Sequence, residues 1–210
     1  DRILELEART MFGHGVSESA EAADERYNSA LELMSLLESQ RDPVRLNEHY
    51  FRVLMISTRR HYETGVEVAD KAIALSHKMG WFPVQYPTFK AFCLLMLGRF
   101  DEAWNSLQEE VADVQHPFGA AFQQVGIARY YSSIAAWEPC LQTLLPLFDS
   151  LVSLGRTRMG ANLSQMWYLL RYEFGGDPEQ LNIIDNAIAE IGLSPSGRAE
   201  LYYRLSEGDV

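Results

Sequence analysis

The stretch Leu97-Gly98-Arg99-Phe100-Asp101-Glu102-Ala103 sets the reading of this chain. An apolar run ends at a glycine, an aromatic residue opens the next segment, and a small residue follows three positions later. Gly98 suits a helix end, where the left-handed conformation is needed. Asp101 and Glu102 suit the positive end of the helix that follows. Related stretches stand on both sides. Upstream is Tyr62-Glu63-Thr64-Gly65, and downstream is Ala136-Trp137-Glu138-Pro139-Cys140. A fourth, Gly176-Asp177-Pro178-Glu179-Gln180-Leu181, lies near the end. The aromatic falls at Tyr62, Phe100 and Trp137, and the small residue at Gly65, Ala103 and Cys140. Both series are spaced 38 and then 37 residues. A fixed period of this length signals a helical solenoid, in which each helix pair buries its apolar face against its neighbours. In this reading the aromatic plugs the gap within a pair and the small residue permits close approach.

Apolar residues recur at three- and four-residue spacing almost throughout, with no sustained period-two run. Helices are expected at 2–12, 18–40, 43–60, 63–79, 85–97, 101–114, 118–134, 138–154, 158–174, 178–191 and 196–206. Asp42-Pro43 and Asp177-Pro178 each place a capping residue before a proline at the first helical position. Gly80, Gly155 and Gly192 are expected as left-handed caps. Pro146 falls inside a helical pattern and is expected to kink it. The fold class is therefore all-α: a right-handed superhelix of antiparallel helix pairs, one domain over 1–210, with about five pairs.

These residues resemble tetratricopeptide repeats, and Leu97 to Ala103 carries the likeness best. The first-helix signature is approached at Ile127, Ala128 and Tyr131. A narrower resemblance runs through Arg26 to Leu33, Tyr62 to Leu75, Leu97 to Ala103, His116-Pro117-Phe118 and Ala199 to Leu205. It is similar to the C-terminal repeat region of multidomain signalling ATPases, including class III adenylate/guanylate cyclase proteins with a central ATPase module and related transcription activators. The resemblance implies a sensory or regulatory arm of a larger parent. The chain opens Asp1-Arg2-Ile3 without an initiator methionine, so it is expected to be a piece of that parent.

Composition narrows the function. Hydrophobic residues make up 47% of 210, enough for a core. The net charge of −11 argues against nucleic acid as a partner, because phosphate binding needs a basic footprint. No apolar run is long enough for a membrane span, and a cytoplasmic location is expected. Cys93 and Cys140 sit in apolar runs and read as small buried hydrophobes in a reducing compartment.

No catalytic, cofactor or metal residue is expected. Phosphate-loop, HExxH, Gly-x-Ser-x-Gly and EF-hand patterns are missing. His14, His49, His61, His77 and His116 read as ordinary surface or groove histidines. The acidic groups Glu18, Glu21, Asp24, Glu25 and Glu109, Glu110, Asp113 read as solvated faces, with docking of a basic partner as the alternative. Arg59-Arg60-His61 and Arg156-Thr157-Arg158 read as helix-joint cations, or else as anion-recognition groups. Trp81, Phe82, Tyr86 and Phe89 are expected to fix two pairs against each other.

If the first helix of each pair lines a concave face, the lining residues are Tyr50, Leu54 and Ser57, then Thr88, Phe92 and Leu95, then Val125, Arg129 and Ser132, followed by Gln165 and Tyr168. Mixed apolar, hydroxyl and Arg character suits a peptide or a helix. The expected function is a non-enzymatic scaffold that binds a protein or peptide segment or other domains of its parent, with homodimerisation possible. The alternative is a sensor of a small molecule or peptide.

Overall fold

The computed structural model describes residues 2–11, 20–40, 42–58, 60–81, 85–108, 117–153, 170, 173 and 176–191. Among them every regular element is a helix. Contacts divide the chain into two compact units, Asp1–Val114 and Gln115–Val210. The expected helices at 158–174 and 196–206, and the caps at Gly155 and Gly192, lie outside the described residues.

The first unit holds α1 (Arg2–Met11), α2 (Ala20–Gln40), α3 (Pro43–Ser57), α4 (Tyr62–Lys78), α5 (Tyr86–Met96) and α6 (Phe100–Gln108). Each packs on the helix before and after it in sequence, and α3 also touches α5. Directions follow from the partners. Arg2 pairs with Glu32 and Arg9 with Glu25, so α1 and α2 run antiparallel. Asn47 meets Ser76 while Ser57 meets Gly65, so α3 and α4 do the same. Gly65 meets Cys93 while Asp70 meets Lys90, which sets α4 against α5. Helices α3 and α5 therefore run parallel. Asn47 bonds Tyr86, 39 residues on, and Phe51 packs on Phe89, 38 residues on. Those offsets lie within a residue or two of the sequence period. Leu6, Leu33, Leu37, Leu54, Leu94 and Leu107 are fully buried between these helices.

The second unit holds α7 (Pro117–Ser133), α8 (Trp137–Ser153) and α9 (Pro178–Ile191). Helix α8 packs on both others. Leu141, Leu144 and Leu170 are fully buried there. Helix α8 runs through Pro146 to Ser153.

The helix starts behave as their sequences dictate. The Asp42 carboxylate accepts from the Arg45 N–H at 3.1 Å ahead of Pro43. Asp177 accepts from Glu179 and Gln180 N–H at 3.0 and 3.2 Å. Three helix ends share one closure. After α4, Trp81 N–H reaches the Ser76 carbonyl and Gly80 N–H reaches His77. After α5, Arg99 reaches Leu94 and Gly98 reaches Leu95. After α7, Ala136 reaches Tyr131 and Ala135 reaches Ser132. This is the double bond pattern of the Schellman motif, which needs positive φ at its pivot. The pivots have φ of 69° at Gly80, 71° at Gly98 and 55° at Ala135, the last without glycine's freedom.

The small residues do what their spacing requires. Gly65, Ala103 and Cys140 each donate the first backbone bond of their helix, to His61, Arg99 and Ala136, and all three are buried. The Cys140 thiol also donates to the Ala128 carbonyl at 3.3 Å. The aromatic neighbours differ from expectation. Phe100 is 39% exposed, and Tyr62 and Trp137 are half-buried, so none of the three is enclosed.

Candidate functional site

The parallel course of α3 and α5 opens a groove at their N-terminal ends. Its volume is about 430 Å³, it is open to solvent, and it is lined by Asn47, Glu48, Phe51, Arg52, Gln85 and Tyr86. The α3 residues fall at spacings of one, three and one, which puts them on one face. The floor is fixed. The Tyr86 hydroxyl donates to the Asn47 carbonyl at 3.0 Å. Phe51 stands edge-on to Phe89 at 5.5 Å, and Phe89 stands edge-on to Phe92 at 6.1 Å. Asn47 Oδ1 accepts from the Ser76 hydroxyl at 3.2 Å, tying the rim to α4. Burial pushes the Tyr86 phenol up to about 12, so it serves as a neutral donor.

The groove offers recognition groups. Its walls are an aromatic ring pair, and its rim carries a carboxylate, a guanidinium and two amides. Arginine suits planar, two-point recognition of an oxyanion. Met55, one turn beyond Phe51 on α3, is exposed at 40%, and Met96, nearly three turns beyond Tyr86 on α5, at 56%. Methionine adapts to varied apolar partners. Among the described residues no three His, Cys, Asp or Glu side chains are grouped to hold a metal, and no helix is long and apolar enough to cross a membrane.

The chain matches no protein-family model and no curated protein.

The expected lining residues fall differently. Tyr50, Leu54, Ser57, Thr88, Leu95 and Val125 are buried, with their side chains packed inside the units. Phe92, Arg129 and Ser132 are half-buried. Gln165 and Tyr168 lie outside the described residues. On α3 the correction is a shift of one position: the outward residues are Phe51 and Met55, next to Tyr50 and Leu54. On α5 it is Met96, next to Leu95. The physical reason is that α3 is covered on two sides. Leu46, Tyr50, Val53, Leu54 and Ser57 are all buried on a helix that packs on both α2 and α4. The Tyr50 hydroxyl itself donates to Glu38 on α2 at 3.1 Å. The signal that marks the outward face is the pair of charged residues Glu48 and Arg52, four apart on α3.

His49 also departs from expectation. It is only 2% exposed, and its Nε2 donates to the Ala30 carbonyl on α2 at 2.8 Å. Burial holds its imidazole below the usual range. His61 stacks flat on Tyr27, with ring centres 3.6 Å apart, and the Tyr27 hydroxyl donates to Thr64 at 2.8 Å. Of the aromatic group expected at the proline-rich joint, Tyr86 and Phe89 are buried, Trp81 is 40% exposed, and Phe82 lies outside the described residues.

Proposed function

We propose that the chain is a regulatory interaction domain of tetratricopeptide-like repeats, wound as a right-handed superhelix, within a larger cytoplasmic signalling protein. It binds a protein or peptide segment and makes or breaks no bonds. The observation that carries this reading is the open groove between α3 and α5, whose floor is built from residues 38 and 39 apart, within a residue or two of the 37–38-residue spacing of the sequence motifs. An open, mixed aromatic and polar groove suits an extended segment or a helix better than an enclosed small molecule. The candidate nucleophiles support a non-catalytic role. Cys93 and Cys140 are buried, and burial pushes both thiols up to about 12, away from the reactive thiolate.

Selection from a displayed random-peptide library on the purified chain tests this. A consensus peptide should emerge, and its binding should drop at least tenfold in Arg52→Glu and Met55→Lys. The reading falls if no sequence is enriched, or if enriched peptides bind both variants as well as the parent.

A further inference from the structure

The short stretch of α2 from Tyr27 to Ala30 is gripped by two imidazoles. His61 covers the Tyr27 ring, and His49 reaches the Ala30 carbonyl. The two grips differ in their response to a proton. The ring at position 61 is half-exposed, whereas the ring at position 49 cannot cheaply take up a second proton. A carbonyl oxygen only accepts, so the Nε2 proton is already committed to Ala30, and an added proton must go to Nδ1. That atom is buried and has no hydrogen-bond partner among the described residues.

The surrounding charges offer no relief. On α3 itself, Arg45 and Arg52 both oppose a positive charge on His49. On α1, Glu7 favours it, but the Glu7 carboxylate is held by two bonds from Arg45, at 2.9 and 2.6 Å. On α2, Arg26 is buried one turn before Ala30. On α4 and α5, Lys71 pairs with Glu38, and Asp70 pairs with Lys90.

We propose that His49 is an acid-sensitive latch between α2 and α3, whose protonation at Nδ1 frees α1 and α2 from a still-folded α3–α6. A buried imidazolium with an unmatched N–H is relieved most simply by opening the one seam it lies in. Among the described residues the α3–α4 and α4–α5 seams contain no buried imidazole: they close through Asn47–Ser76, Gly65–Cys93 and the Asp70–Lys90 pair.

The sign follows from linkage. The folded imidazole binds its proton less readily than the unfolded one, whose ordinary value is 6.5. The latch is therefore at full strength above 6.5. It weakens as pH falls below 6.5, by about tenfold in the opening constant per pH unit, until the folded group itself titrates.

Hydrogen exchange followed residue by residue tests this between pH 7 and 5, with intrinsic rates corrected. The expected result is that α1 and α2 lose protection about tenfold per unit below 6.5 while α4 and α5 hold theirs. In His49→Gln, which retains a donor for Ala30 and cannot titrate, the α1–α2 profile should be flat. A flat profile in the parent, an equal slope in His49→Gln, or parallel losses in α4 and α5 would each overturn the latch. If His49→Gln does not fold, direct NMR titration of the His49 ring in the parent decides. A midpoint below 6.5 is expected, and one at or above 6.5 overturns the proposal.

Discussion

Gly65 on α4 lies directly against Cys93 on α5: a methyl group built at position 65 would overlap the Cys93 sulfur and come within 3.3 Å of the Ser57 Cβ. The contact sets the spacing of three helices at once, because Ser57 belongs to α3. Alanine is ordinarily the better helix former by about 1 kcal/mol. Here overpacking wins, and Gly65→Ala should cost about 1–3 kcal/mol in urea unfolding. Adding Cys93→Ala should restore part of the loss, since the two substitutions share one contact. A neutral Gly65→Ala variant would contradict the close approach.

The pivot at Ala135 holds a non-glycine residue at φ 55° where its two counterparts are glycines. Ala135→Gly should stabilise the second unit by about 0.5–1 kcal/mol, and Gly98→Ala should destabilise the first by a similar amount. Thermal unfolding of the two variants should therefore move in opposite directions.

Leu54 and Met55 are neighbours on α3 with opposite fates, one fully buried and the other 40% exposed. Leu54→Ala should cost about 2–5 kcal/mol. Met55→Ala should stay within about 0.5 kcal/mol. Equal losses would mean that the outward face of α3 has been placed in the wrong register.

The two buried thiols should resist a neutral disulfide reagent at pH 8 in the native protein. Both should react promptly once urea unfolds the chain. Fast labelling of either native thiol would show that its helix seam opens readily.

Acid should act in two stages. The first, below 6.5, belongs to His49. The second lies below about 4.5, where Glu5, Glu32 and Glu102 begin to protonate. Hydrogen bonds from Arg2 hold the first two carboxyls below their usual range, and a bond from Arg99 does so for the third. Their stabilisation is present above 4.5 and is lost as pH falls through the lowered values. These pairs are exposed, so added salt should shrink the second stage and leave the first nearly unchanged. Melting temperature against pH at two salt concentrations separates them.

The punctuation of this fold is written plainly in its residues. Asp42-Pro43, Asp177-Pro178 and the glycines at 80 and 98 each have one local job, and local chemistry is enough to assign it. The small residues at 65, 103 and 140 are equally clear, because close packing leaves few choices. The faces are harder. Periodicity identifies Tyr50, Leu54 and Ser57 as a stripe, yet a helix covered on two sides buries more than one stripe, and the outward one is recognised only by Glu48 and Arg52. His49 is harder still. An imidazole looks like a surface group until a carbonyl on another helix supplies its partner. Phe100 shows the converse, a large aromatic left partly in water while Ala103, three residues on, is fully buried.

The parallel step from α3 to α5 has a consequence for how the chain comes to be folded. The bond from Tyr86 to Asn47 spans 39 residues and that from Tyr27 to Thr64 spans 37. Partners this near in the chain meet quickly and need little loop closure. The first four helices can thus settle against one another while everything after Lys78 is still being synthesised, with α5 and then α6 docking onto a surface that is already waiting.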